Sequence, residues 1–179
     1  MDFYIDFVTT YPFTSAITQF AVLGTLGEIL ATKLAGKKGF LTLYFVLSKA
    51  LVWGILAVPI KIAFIGFEGF VAALVLNGLL PESVMEGFAF ALTRSISMNL
   101  QFGPFLVLIH RALDNLVTRE NNWKNIDKAF YSLLWFWIPA HTLTFSLPVE
   151  FQIGMAALWS FMLGLILAYF SRKKEGVEA

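Results

Sequence analysis

Cysteine is absent from the 179 residues. Its absence excludes a disulfide framework, thiol catalysis and any cysteine-ligated metal. Charge is scarce as well: 14% of the residues are Asp, Glu, Lys or Arg, against about 25% in an average soluble domain. With 58% of the chain hydrophobic, there are too few polar side chains to cover a water-facing surface. The net charge of +1 offers no broad positive field for nucleic acid. The opening segment, MDFYIDFVTTYPF, holds Asp2 and Asp6 and no Lys or Arg. A secretory leader needs a basic start and a mitochondrial presequence needs arginines, so neither is expected, nor is a lipid anchor. A His/Glu cluster at metal spacing, a Gly-rich phosphate loop and a serine elbow are missing too. The expectation is therefore a protein that is not an enzyme and takes no cofactor or metal.

Long apolar runs are what the sequence does have. A bilayer core about 30 Å thick needs roughly 20 apolar residues in a helix. The stretch 14–34 meets this, interrupted by Glu28. The stretch 40–80 is one long apolar run containing Lys49, Pro59, Lys61 and Glu68. The stretch 87–109 carries Arg94, and 129–146 is short and aromatic, with Trp135 and Trp137. The last, 151–170, is closed by Arg172, Lys173 and Lys174. The run 40–80 reads either as one kinked helix or as two short helices turning near Pro59.

Positive charge arbitrates, because Lys and Arg collect in short cytoplasmic loops. If 40–80 crosses once, one side holds the loop with Lys33, Lys37 and Lys38, the connector 111–128 and the C-terminal tail, which carry three, four and three Lys/Arg. The other side holds the N-terminus, 81–86 and 147–150, with none. A sixth crossing would mix the charges. The expected fold is an all-α membrane domain over 1–179, with five spans at about 14–34, 49–79, 87–110, 129–146 and 151–170. Its N-terminus lies outside and its C-terminus inside, and Pro59 kinks the second span. The missing presequence, the absent cysteine and the inside-positive tail fit a prokaryotic cell membrane better than an organelle membrane.

Ionisable groups at membrane depth are costly, so they usually face a bundle interior, in pairs or along a solute path. Glu28 shares a helical face with Ala21, Gly24, Thr25 and Ala31, small residues that let a neighbouring helix approach. It reads either as a path-lining carboxylate or as half of a fixed pair. Arg94 begins a stripe through Ser97, Gln101 and Pro104, flanked by Ser95 and Asn99, and reads as the wall of a hydrated path or as interhelical hydrogen bonding. Lys61 and Glu68 lie two turns apart on one face, too far to bond directly, and each is expected to meet a partner on another helix. Lys49 is expected to snorkel to the headgroups. His141 lies between Trp137 and Thr144 on a polar face and reads as a gate or as a hydrogen-bonded packing residue. His110 is expected at the interface. Gly24, Gly27, Gly103 and Gly164 are candidate packing positions, and Pro104, Pro139 and Pro148 candidate kinks.

Three short motifs carry a family resemblance. Tyr11-Pro12 leads to Leu23 and Gly27-Glu28. Gly103-Pro104 is followed by Leu113-Asp114. Trp137-Ile138-Pro139 is followed by Phe145, Pro148 and Gln152. In order and spacing these resemble the Mpv-type peroxisomal and mitochondrial membrane protein family, and they cover most of the chain outside 40–86. The chain departs from the family pattern in several places. Glu28 stands for the usual Asp and Gln152 for the usual arginine. His110 falls further from the proline, and no Asn precedes Phe145. The extra helix comes before Gly103-Pro104 rather than after Leu113-Asp114. The resemblance implies a multi-pass protein proposed to form a small-solute channel. Trp123-Lys124-Asn125, Ala156-Ala157 and Gly164 also resemble the small bacterial alanine exporters, which implies amino-acid export.

The functional expectation is permeation of small hydrophilic metabolites across a lipid bilayer, with Glu28, Arg94 and Gln101 lining the path and His141 as its gate. The solute's chemistry stays open. The alternatives are a small amino-acid exporter, a non-transporting scaffold, and, third, a membrane enzyme using His110, Asp114, Arg119 and Asp127. Five helices enclose only a narrow path, so a homo-oligomer could form through the small-residue run Ala156, Ser160 and Gly164.

Overall fold

Pro12 and the residue before it decide how the chain begins. A residue preceding proline is disfavoured in helical geometry, whereas proline itself suits the first position of a helix. In the computed structural model a short helix α1 (Asp2–Thr10) accordingly ends at Tyr11, and α2 (Pro12–Leu34) begins at once. The structure describes residues 2–34, 36 and 40–175, and their side chains except those of 167, 168 and 170–175. Lys37 and Lys38, and the side chains of Arg172, Lys173 and Lys174, lie outside what is described.

The described residues form helices and turns without strands. Helix α3 (Leu43–Leu76) runs unbroken through Pro59, so the stretch 40–80 holds one helix and not two. At 1.5 Å per residue it is about 50 Å long, more than a bilayer core of about 30 Å requires. Gly78, with φ of +71°, ends it. A single 3₁₀ turn (Glu82–Met85) leads into α4 (Gly87–Thr118), which continues well past residue 110 into what the sequence suggested was connector. Arg119 closes α4 in the left-handed conformation, its N–H bonded to the Asn115 carbonyl. Helices α5 (Ile126–Ser132) and α6 (Ile138–Phe145) are joined without a break by a π turn (Leu133–Trp137). Pro139 explains that turn. Its ring crowds the carbonyl four residues back, and the wider turn, with the Ile138 N–H bonded to Leu133, relieves the clash. Helix α7 (Val149–Glu175) begins just after Pro148.

Three of these helices are long and apolar enough to cross a membrane: α2, α3 and α7 over Val149–Ile166. Part of the side-chain distribution runs opposite to that of a water-soluble protein. Lys49, Arg94, Asn99, His141 and Gln152 are buried, while Leu47, Leu51, Ile55, Ile62 and Ile65 are exposed along α3. Water would penalise both halves of that arrangement.

By internal contacts the chain forms two compact units, Met1–Ala57 with Gly154–Ala179, and Val58–Ile153. In the first, Phe20 stacks on Trp53 at 6.1 Å between ring centroids, and Gly24 leaves the space that the indole fills. A Cβ on Gly27 would stand 3.0 Å from the Phe161 Cα, and one on Gly164 would stand 3.3 Å from the Gly27 carbonyl oxygen. Helices α2 and α7 therefore meet backbone to backbone, the close approach that small residues permit. Ala156, Ala157 and Ser160 are buried in the same chain, so the run expected to serve a contact between copies is taken up internally. Gly154 accommodates the hydrogen bond from the Tyr4 hydroxyl to Gln19 Oε1, 3.1 Å long.

In the second unit α4 packs on α6 and on the π turn. The buried face of α4 runs through Ala91, Arg94, Ser95, Met98, Asn99 and Gly103. Gly103 receives the Leu133 side chain, 2.9 Å from where its Cβ would be.

Candidate functional site

Helix geometry brings the charged residues together in pairs about turns. Glu28 lies six residues before the end of α2, and Lys49 six after the start of α3. Glu28 and Lys49 meet at 3.6 Å, with the lysine side chain only 9% exposed, and the ammonium lies 5.9 Å from the Phe45 ring centroid. Lys49 does not snorkel outward as expected; the carboxylate within reach makes burial the better solution. Glu68 lies eight residues before the end of α3, and Arg94 seven after the start of α4. Arg94 Nη1 is 3.3 Å from Glu68 Oε2. Each pair joins residues at matching distance from their connecting segment, about 9–12 Å along the helix at 1.5 Å per residue.

Arg94 is the centre of the second unit. Its Nη2 donates to the Phe64 carbonyl at 2.6 Å and to Gln152 Oε1 at 3.4 Å. The guanidinium carbon lies 4.0 Å from the Phe145 ring centroid, a cation–π contact of the kind strengthened by loss of water. The arginine side chain is 4% exposed and the Glu68 side chain 55%, so the pair runs from core to surface. Arg94 Nε is buried without a hydrogen-bond partner. Gln152 is held in turn by donating to the Leu147 carbonyl at 3.0 Å.

One turn along α4, Asn99 donates to the Ser95 carbonyl at 2.8 Å, and Ser95 donates to the Ile138 carbonyl at 2.8 Å. His141 Nδ1 stands 3.1 Å from Asn99 Nδ2 and 3.2 Å from Oδ1, so the direction of that bond follows the imidazole tautomer. The His141 ring is stacked between Trp137 at 5.0 Å and Phe145 at 5.8 Å, with the edge of Phe64 at 5.7 Å. The π turn sets this stack, because it fixes where Trp137 falls relative to His141. The arrangement can hold a cation in an aromatic frame and hydrogen-bond a neutral imidazole.

Arg94, Glu68 and His141 thus come together. Glu28 belongs to a separate pair in the first unit. Ser97 is half-buried and Gln101 is exposed, so the expected stripe Arg94–Ser97–Gln101–Pro104 is not the buried one; the face turned inward passes through Ser95 and Asn99. Lys61 is half-buried on the face of α3 that carries Phe64 and Glu68, and no carboxylate lies within ion-pair distance of it among the described residues. His110 lies 3.7 Å from Asp114 across one turn of α4, while Arg119 and Asp127 are exposed. Sequence reasoning missed Asn99 as the partner of His141 and Gln152 as a partner of Arg94. It also missed the pairing rule, although equal distance from a turn was visible in the residue numbers.

Comparison of the chain with protein-family models, with curated proteins and with solved structures finds no match.

Proposed function

We propose that the chain is a five-span membrane protein, N-terminus outside, that gives small hydrophilic solutes a path through the bilayer. The observation that carries this reading is Lys61. It stands near the middle of α3, half-buried, where an ammonium in hydrocarbon would cost about 2.5–3.5 kcal/mol even on the mildest scale. With no carboxylate among the described residues to neutralise it, contact with water or solute is the condition that makes its position tolerable. The half-exposed Glu68 on the same face extends that polar track toward the 77–86 turn. The resemblance to the Mpv-type family and to the alanine exporters points to the same class, and the unbroken α3 favours an odd number of crossings with all short basic loops on one side.

A second reading, a non-transporting scaffold, is favoured by the way Arg94 is tied to Glu68, Phe64, Gln152 and Phe145. Flux decides between them. Purified protein in liposomes should pass small polar solutes, and Arg94→Leu should lower the rate while Arg94→Lys recovers part of it. Vesicles equally tight with and without the protein would leave the scaffold.

A further inference from the structure

The second unit holds two cations and one carboxylate on adjoining helix faces. Arg94 reaches α3 at Phe64, by its carbonyl, and at Glu68, by its carboxylate. Lys61 lies one turn from Phe64, whose carbonyl accepts from Arg94, on that same face of α3. Glu68 satisfies one edge of the guanidinium and is more than half exposed; on the permeation reading that exposed half faces the hydrated path, where water screens much of its charge. Arg94, by contrast, is almost wholly buried with Nε unsatisfied. A buried cation facing a screened anion leaves a net positive field, and Lys61 adds to it. Among the described residues no carboxylate other than Glu68 lies within ion-pair distance of Arg94, and none lies within that distance of Lys61; Gln152, which accepts from Arg94, carries no charge.

We infer that the solute conducted past this face is a small organic anion, with the Lys61 ammonium making direct contact and Arg94 supplying a fixed background charge. The inference rests on the permeation reading and narrows it to a substrate class. Lys61 is the group with capacity to spare, since Arg94 spends its two terminal nitrogens on Phe64, Glu68 and Gln152. A carboxylate or sulfonate would give the ammonium the partner that the chain withholds. A cation would meet two like charges, and a neutral polyol would gain hydrogen bonds without the Coulomb attraction.

The test uses the full chain in liposomes loaded in turn with three solutes of similar size: isethionate (an anion), erythritol (neutral) and choline (a cation). Isethionate efflux should exceed choline efflux by about tenfold or more, the range by which a charged path concentrates its counter-ion. Lys61→Glu should reverse that order, and Lys61→Arg should retain it. Choline passing as fast as isethionate, or an order unmoved by Lys61→Glu in a variant that still passes erythritol, would overturn the anion assignment while leaving permeation standing. No flux of any of the three would remove the permeation reading itself.

Discussion

A helix in an apolar chain can bury either of two polar faces, and α4 shows how that choice is made. Its sequence offers one polar face through Ser97 and Gln101 and another through Ser95 and Asn99. Burial selects the second because Ser95 and Asn99 find partners, Ile138 and His141, whereas Gln101 remains exposed. Replacing Asn99 by Leu should cost about 1–3 kcal/mol, the penalty for leaving buried polar partners unmade. Gln101→Leu should leave both unfolding and flux close to wild type. Denaturation in detergent, followed by helical signal, measures the difference; equal loss from the two variants would mean that the wrong face has been identified. Arg94, Glu68 and His141 were legible as polar residues with partners on other helices because polar groups stand out against hydrocarbon. Which of Ser97 or Asn99 accompanied them was not, since lipid-facing and core-facing positions are equally apolar and periodicity cannot separate them.

Helix existence was legible from the length of the apolar runs, but the ends at Pro12, Gly78 and Pro148 were not: the first span was expected from 14, and Pro148 was read as a kink. The π turn was not, because proline in a membrane helix can be met by a kink, a local widening or a side-chain bond, and the sequence around Pro139 does not say which. The close contact of α2 with α7 was half visible. Gly27 and Gly164 were marked as packing residues, but the partner expected for the Ala156–Ser160–Gly164 run was another copy. Gly27→Val should force the two backbones apart and cost about 1–3 kcal/mol, the usual penalty of overpacking. Gly66 is the counter-case: a Cβ there would meet nothing within 4 Å, and Gly66→Ala should stabilise α3 by about 0.5–1 kcal/mol through lost chain entropy. Unfolding midpoints that moved in the same direction for both variants would contradict the assignment of Gly27 to a helix contact.

At the scale of the whole chain, three helices have the length and composition to cross a membrane unaided. Helix α4 and the stretch from Ile126 to Phe145 are more polar because they carry Arg94, Asn99 and His141, and in the proposed five-span topology their crossing would depend on packing as much as on hydropathy. That dependence is why five spans require a topological argument, and the absence of cysteine makes the argument directly measurable. Single cysteines can be placed at exposed positions without background: Thr9 in α1, Ser83 in the 3₁₀ turn and Asn121 after α4. With the N-terminus outside and α3 crossing once, Thr9→Cys and Ser83→Cys should react with a membrane-impermeant maleimide in intact cells. Asn121→Cys should react only after the membrane is opened. In that topology α2 and α3 place two crossings between positions 9 and 83, and α4 places one between positions 83 and 121. Labelling of Thr9→Cys and Ser83→Cys from opposite sides would mean that α2 or α3 does not cross. Labelling of Asn121→Cys from outside together with Ser83→Cys would place α4 against the membrane rather than through it, and Arg94 would then need no path to explain it.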